Sequence, residues 1–456
     1  MSMLSSQLTA KIRVALVPIG FFFLSLIVQI FWATRISGLP VITPDTDSYF
    51  HLHFMNYPRP FFIPLIYTLI QNPSLIMIFQ MLLSASAYSL FGYSLLRIQM
   101  RLNRPNFILL LLYAFFIVTT PTFEHNFFLM SESISISLFV IFLALLNLML
   151  QSATRLRTDL LFTTTVLWIF CKQAHIILGS ILLVFVIFVT RKQYSKIENW
   201  MRAIFSILIV SYSWIFLLSD RSVALYNTVF LLGSKLCRDP NWRSWLINNG
   251  LPERTITLIG SNPKYQPNIM AVLGDPELSN YFENNGTKLF LLFLLHHLGY
   301  LFFGFLSLSS MSKSFDFSET LLPILSYGSR GIRYLELGPQ TTYTGIWWVE
   351  SAEWRNLLFL FCLWLLVILF ISQKNKSLNS FKPAVNSKVM FVPLFIIIFI
   401  LLRAIIDWHL TGGDSTRILI EQSIGLRLAI FSFFAFLLSQ GAGTQHRLSS
   451  STVKKE

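Results

Sequence analysis

Residues 43–69 read TPDTDSYFHLHFMNYPRPFFIPLIYTL. The stretch sets two acids, Asp45 and Asp47, between a long apolar run and a second apolar run opened by Pro58-Arg59-Pro60. Carboxylates at the mouth of a hydrophobic segment are costly to hold beside lipid, so such a pair is a functional-site candidate by default. The plainer alternative is a connecting loop whose acids are simply solvated. The rest of the chain has to decide between the two.

Of the 456 residues, 54% are hydrophobic and 12% charged, about half the charge of an ordinary soluble domain. The composition therefore predicts an all-α integral membrane protein. A net charge of +14 could suggest a nucleic-acid partner, but the basic residues sit in short clusters between apolar runs, where they orient helices. No nucleic acid is expected. Cys171, Cys237 and Cys362 are widely separated and form no CxxC or Cys/His cluster, so they read as buried thiols and not as a disulfide framework or zinc site. The first apolar run is too long for a signal-peptide core and no small-residue cleavage site follows it, so it is expected to stay as a membrane anchor.

Segments near the ~20 residues that span a bilayer fall at 14–34, 74–96, 106–121, 131–150, 158–171, 174–190, 203–219, 287–309, 355–372, 389–407 and 417–438. They predict a bundle of about 10–12 transmembrane helices. The pair at 158–190 is interrupted by Lys172, Gln173 and His175, leaving a first piece short for a full crossing. The clusters Lys11/Arg13, Arg97/Arg101/Arg104, Arg155/Arg157, Arg191/Lys192/Lys196/Arg202 and Arg447/Lys454/Lys455 should face the cytoplasm. The first seven spans obey this, which puts the Asp45 loop, the Glu124-His125 turn, the Lys172 turn and the segment from Asp220 on the extracytoplasmic side. Lys374, Lys376, Lys382, Lys388 and the tail then conflict, because an odd number of crossings puts both outside. Either 287–309 does not cross, or a further segment near 316–335 does. The chain divides into a membrane module over 1–219, an extracytoplasmic cap over 220–286 and a C-terminal membrane region over 287–456 with a loop at 310–354. Trp242, Trp245, Trp347 and Trp348 read as interfacial anchors before substrate platforms.

Four polar features share the extracytoplasmic side, the last only once the conflict is repaired. The first is Asp45 and Asp47 with Tyr49, His51 and His53. The second is Arg59, followed by an apolar piece too short to span and suited to the interface. The third is Glu124-His125 with Ser131-Glu132-Ser133, an acid at a span entry, where a helix N-terminus favours negative charge. The fourth is Asp407-Trp408-His409 with Gly412-Gly413-Asp414-Ser415-Thr416-Arg417, followed by Glu421 and Arg427. Each has a plain explanation: Glu132 as a first-turn acid, Asp414 as a cap, the histidines as loop residues without further ligands at metal spacing. Convergence of acids and arginines in a chain that avoids charge is what those explanations leave over. It suits a reaction on an anionic lipid, where a carboxylate takes a proton from an acceptor hydroxyl and cations neutralise a departing phosphate. Asp45 suits the first role and Arg59, with its planar fork of donors, the second.

These residues resemble the GT-C membrane glycosyltransferases that use polyprenyl-phosphate sugars, including protein O-mannosyltransferases and the lipid A aminoarabinose transferase. Asp45-Thr46-Asp47-Ser48-Tyr49 is similar to the family's first-loop pattern, an acid with a tyrosine four residues on. Residues 57–65, YPRPFFIPL, are similar to the basic segment that follows it, and Ser131-Glu132 to the Ser/Thr-Glu entry to a span. Asp414, Glu421 and Arg427 resemble a late Asp/Glu/Arg-His stretch, although the Arg-His pair is missing and the second first-loop acid is not adjacent to the first. The layout is shared over roughly residues 1–220. The resemblance implies an inverting transfer at the extracytoplasmic face, with Asp45 as base, Asp47, Glu124 and Glu132 as supporting acids, and Arg59 at the donor phosphate. Tyr49, His409, Asp414, Arg417 and Arg330 are further substrate-binding candidates. No cofactor is implied, with room left for a divalent metal on Asp45 and Glu124 or Glu132. Partners would be a polyprenyl-phosphate sugar donor, a lipid, glycan or protein acceptor, and membrane lipid; the composition suggests a bacterial inner membrane. Two rivals remain: a transporter or flippase for a lipid-linked saccharide, which needs polar groups at mid-membrane depth, and an O-antigen-type polymerase, which would rely on Arg238, Arg243 and Arg254.

Overall fold

A computed structural model describes residues 2–34, 38–42, 46–50, 60–100, 107–119, 123, 126–219, 221–237, 239–259, 269–303, 394–403, 405, 421, 424–426, 428–433 and 435–436. Among them the backbone is helical and holds no strand, with one isolated bridge between Val41 and Phe128. The first half runs α1 (Ser2–Ala33), α2 (Asp47–Phe50), α3 (Phe62–Ile70), α4 (Pro73–Met100), α5 (Phe107–Thr119), α6 (Ser131–Gln151), α7 (Arg155–Ile169), α8 (His175–Thr190) and α9 (Lys196–Ser219). Short helices follow: α10 (Arg221–Phe230), α11 (Pro240–Asn248), α12 (Glu253–Ile259), α13 (Ile269–Gly274), α14 (Pro276–Tyr281), α15 (Thr287–His296) and α16 (Leu298–Phe303). Two late apolar helices are α17 (Leu394–Arg403) and α18 (Ile424–Phe433).

Three of the described helices are long and apolar enough to cross a membrane: Pro73–Ile98 within α4, α6, and α8 with its short 3₁₀ extension to Gln193. Leu16–Phe31, Leu109–Val118, α17 and α18 are apolar but shorter. The expected count of about 10–12 crossings is therefore met only in part among the described residues. The expected span at 287–309 is not one continuous helix, because α15 stops at His296 and α16 begins at Leu298.

The helix starts follow local chemistry. Asn72 accepts from the backbone N–H groups of Ser74 and Leu75 at the head of α4 (3.0 and 3.2 Å), supplying acceptors that the first helical turn lacks. Asp239-Pro240 and Asp275-Pro276 open α11 and α14, with the aspartate capping and the proline at the first helical position, where its missing N–H costs nothing.

α6 is the centre of the first core. Its apolar window is 89% buried, against 50% for α4 and 44% for α8, so the other helices are arranged round it. α4 packs on α6 and α1, α7 on α6, α8 on α7, and α9 on α8. Serines at 131, 133, 135 and 137 are all buried in its first two turns, where small side chains allow close helix approach. α17 and α18 complete this core. Phe395 stacks on Phe185 (4.0 Å between centroids), while Arg403 at the other end of α17 lies over Trp168 (4.6 Å) beside His175; α17 is thus antiparallel to α8. A second core joins Val229, Leu232, Leu246, Ile259, Val272 and Phe282 to Phe290, Phe293 and Tyr300 of α15 and α16.

Candidate functional site

Three sequence motifs meet at the entry to α6. The Val41–Phe128 bridge is closed by Val41 N–H to Phe127 O (2.8 Å) and Leu129 N–H to Val41 O (3.2 Å). Downstream of it, the Thr46 hydroxyl donates to Leu129 O (3.1 Å) and the Tyr49 hydroxyl to Ser131 Oγ (3.2 Å). From α3, the Tyr67 hydroxyl donates to Met130 O (3.1 Å); from α4, Gln80 Nε2 reaches both that hydroxyl (2.9 Å) and Met130 O (3.2 Å). All of these side chains are buried, so each bond satisfies a group that solvent cannot reach. Their common target is the segment 129–131, through the carbonyls of Leu129 and Met130 and the hydroxyl of Ser131, immediately ahead of Glu132.

Glu132 stands in the first turn of α6, but it does not cap the helix: the cap position is Met130, which makes no side-chain capping bond. Instead Glu132 Oε1 pairs with Lys172 Nζ at 3.0 Å, the two side chains only 7% and 11% exposed. Lys172 sits in the turn between α7 and α8, the interruption in the 158–190 run. Ser133 continues the inward polar line to Asn126, which donates to Gln29 Oε1 of α1 (2.8 Å).

A second set of ionisable groups adjoins this turn. Glu421 Oε2 accepts from Arg403 Nη2 (2.9 Å) and lies 3.1 Å from His175 Nε2, while Glu421 Oε1 accepts from Trp168 Nε1 (2.6 Å). His175 Nδ1 is 2.7 Å from Trp168 O. A carbonyl only accepts, so Nδ1 carries a proton; the contact at Nε2 then needs one proton between the ring and the Glu421 carboxyl. Arg403, His175 and Glu421 are essentially unexposed, at 0%, 0% and 1%, and a buried charge persists only when paired. Glu132, Lys172, His175, Arg403 and Glu421 all stand at the same end of the helices, at the starts of α6 and α8, in the α7–α8 turn, at the end of α17 and just ahead of α18.

Comparison with known protein families, curated proteins and solved structures finds no match to this chain. The chemistry of the site has to be read from its own residues.

Of the candidates from sequence, Tyr49 and Glu132 are joined through Ser131, whose hydroxyl is 3.5 Å from Glu132 Oε2. Asp47 opens α2, within two residues of Tyr49. Asp45, Arg59, Glu124, Arg330, His409, Asp414 and Arg417 lie outside the described residues. Among the described residues no group of three His, Cys, Asp or Glu is placed to hold a metal ion. Lys172, His175 and Arg403 are site residues that the sequence reading left without a role. The signal for Arg403 was present: a lone arginine inside an otherwise apolar run is costly unless partnered. Of the arginines a polymerase would use, Arg243 Nε donates to Cys237 O (2.8 Å) and Arg254 pairs with Asp275 (2.8 Å), so both hold the second core's own helices together; Arg238 lies outside the described residues.

Proposed function

We propose that this chain is a multi-pass GT-C-type membrane glycosyltransferase, moving a sugar from a polyprenyl-phosphate donor to a lipid, glycan or protein acceptor at the extracytoplasmic face of a bacterial inner membrane. The observation that carries the proposal is the convergence at residues 129–131. Thr46 of the first-loop motif and Tyr67 of the helix after Arg59 bond the backbone carbonyls of Leu129 and Met130, and Tyr49 bonds the Ser131 hydroxyl, immediately ahead of Glu132. Segments distant in sequence, each selected as a candidate for the same reaction, meet through buried hydrogen bonds.

In this reading the acceptor hydroxyl attacks the anomeric carbon as its proton passes to the Asp45 carboxylate. The bond from that carbon to the phosphate oxygen breaks, and polyprenyl phosphate leaves with its charge matched by Arg59. Asp47, Glu124 and Glu132 support the base; Lys172 is held beside Glu132 as a further cation. Tyr49, His409, Asp414, Arg417 and Arg330 are the remaining substrate contacts. A carboxylate acting as general base contributes roughly 10²–10⁴-fold.

The transporter reading draws on Arg403, His175 and Glu421, which are buried ionisable groups of the kind that line transport paths. Their confinement to one end of the helices favours the enzyme, since a path needs such groups along the depth of the bundle. Transfer of radiolabelled sugar from a polyprenyl-phosphate donor, in membranes holding matched amounts of native chain or Asp45→Asn, tests the proposal. Loss of about a hundredfold or more is expected. Unchanged transfer would remove Asp45 as base and put the transporter and polymerase ahead.

A further inference from the structure

The direction of the late helices fixes whether the chain between them and α9 crosses an odd or an even number of times. α7 runs from Arg155 to Ile169 and α8 returns from His175, so Glu132, Lys172 and His175 mark one end of the bundle and Arg155, Arg191, Lys192 and Lys196 the other. α9 starts at Lys196, at the basic end, and finishes at Ser219 at the Glu132 end. Arg403 bonds Glu421 beside His175, and Phe395 stacks on Phe185, ten residues further along α8. α17 therefore runs from the side of the basic end toward the Glu132 end. Between Ser219 and Leu394 the chain has to pass from the Glu132 end to the basic end, which takes an odd number of crossings. The apolar segments in that interval, 287–309 and 355–372, are two, and the further candidate near 316–335 carries Asp316, Glu319, Arg330 and Arg333, charges that are costly in a crossing helix.

The first of them is the one that fails to fit. α15 continues a helical stretch that starts at Pro276 and passes through a π-helical turn at Phe282–Gly286, but that leading part carries Glu277, Asn280, Glu283 and Asn284. The apolar part is the ten residues of α15, about 15 Å of helix, against a hydrocarbon core of about 30 Å. His297, with φ −122° and ψ 60°, interrupts the helix before α16. Along α15, Leu289, Phe290, Phe293 and Leu294 are buried in the second core. Phe293 meets the rings of Trp242 (5.6 Å) and Trp245 (5.5 Å) from α11. α11 also carries Asn241, Arg243, Ser244 and Asn248, polar side chains that are costly to place in hydrocarbon. A crossing helix could not keep its midpoint against such a neighbour. On the opposite side of the same segment, Leu291, Leu292, Leu295 and Leu298 are exposed by 54%, 38%, 69% and 54%. An apolar stripe backed by a polar cap is the pattern of a helix lying in a membrane interface.

We infer that residues 287–303 do not cross the bilayer but lie on its extracytoplasmic face, seating the second core on lipid through Leu291, Leu292, Leu295 and Leu298. The inference rests on reading the bundle as membrane-spanning and is independent of the transferase proposal. It leaves 355–372 as the crossing that carries the chain back and places the Lys374–Lys388 cluster and the tail on the cytoplasmic side.

The test uses single cysteines in the full chain: Lys196→Cys at the basic end, Glu277→Cys in α14 and Ser310→Cys beyond α16. Each is reacted with a membrane-impermeant maleimide in right-side-out and inverted vesicles, with the parent chain as blank for the native Cys171, Cys237 and Cys362; Cys171 and Cys237 are buried. The expected result is labelling of Glu277→Cys and Ser310→Cys from one side and of Lys196→Cys from the other. Opposite sides for Glu277→Cys and Ser310→Cys would mean that 287–309 crosses, and would overturn the inference. Lys196→Cys and Glu277→Cys on the same side would instead overturn the membrane-spanning reading beneath it. A nitroxide on Leu295→Cys reports the occupant. Collision with oxygen well above collision with an aqueous nickel chelate is expected. Equal access for both places the stripe in water, and shielding from both places it against protein such as a second copy; either result overturns the lipid assignment.

Discussion

Arg403 sets its charge against one carboxylate and two aromatic faces: Glu421 at 2.9 Å, Trp168 at 4.6 Å and Phe139 at 5.9 Å. Removing one member of a buried pair leaves the other uncompensated, at a cost of about 3–5 kcal/mol. Arg403→Met and Glu421→Gln are each expected to lower thermal stability in detergent by that order. The double variant should cost clearly less than the sum, since neither charge is then orphaned; an additive result would mean that the pair is not coupled. Lys172→Met should cost less than Arg403→Met, about 1–3 kcal/mol, because Lys172 sits at a turn where Glu132 keeps some contact with solvent. At this scale Tyr49 and Glu132 were legible because short motifs flagged them. Arg403 was not, because averaging over the apolar run at 389–407 hid a single charge. Which acid it would meet is not encoded by any local pattern.

α9 begins with a reciprocal cap. Ser195 Oγ accepts from Glu198 N–H (3.2 Å) and Glu198 Oε2 accepts from Ser195 N–H (2.9 Å), so two backbone donors of the first turn are satisfied at once. Ser195→Ala is expected to cost about 1 kcal/mol, read as a lower unfolding temperature. The same bonds predict a pH dependence. The backbone N–H of Ser195, then its hydroxyl, with Arg155 as a further cation, hold the Glu198 carboxyl below its ordinary value. A depressed acid contributes stability that is present above its ordinary range and is lost as pH falls through the depressed value. Thermal stability of the native chain should therefore fall more between pH 5 and 3, on the scale of about 4.3 for a free glutamate, than that of Glu198→Gln. Equal slopes would remove Glu198 from the acid limb. The S-x-x-E signature was readable in the sequence, yet hydropathy placed the start of this helix at 203. Capping polar residues lie outside the apolar window by nature, so a span count finds the middle of a helix and misses its head.

Across the whole molecule the late helices close on the early ones at two kinds of contact. Asn147 Nδ2 donates to Ser94 Oγ of α4 (3.2 Å) and to Ser432 Oγ of α18 (2.9 Å). Hydrogen bonds between membrane helices average about 0.6 kcal/mol each, so Asn147→Ala should cost roughly 1 kcal/mol in all. The second contact is steric. A Cβ at Gly425 would lie 2.4 Å from Phe139 Cε1 and 3.2 Å from Ile400 Cδ1. Phe139 cannot swing aside freely, since it stacks between Trp168 and Phe142. Hydropathy makes the apolar runs legible but not their neighbours: Gly425 and Asn147 look like ordinary members of a span until the packing of α18 on α6 is known. Replacing a mid-helix glycine by alanine gains about 0.5–1 kcal/mol from the unfolded chain, while overpacking a filled core costs about 1–3 kcal/mol. The balance gives opposite signs at two glycines. Gly20→Ala, in α1 with nothing within 4 Å of the added Cβ, should raise the unfolding temperature in detergent, and Gly425→Ala should lower it. If both rise, the approach of α18 to Phe139 is looser than described, and the seat that brings Glu421 to His175 and Trp168 is held by the polar pairs alone.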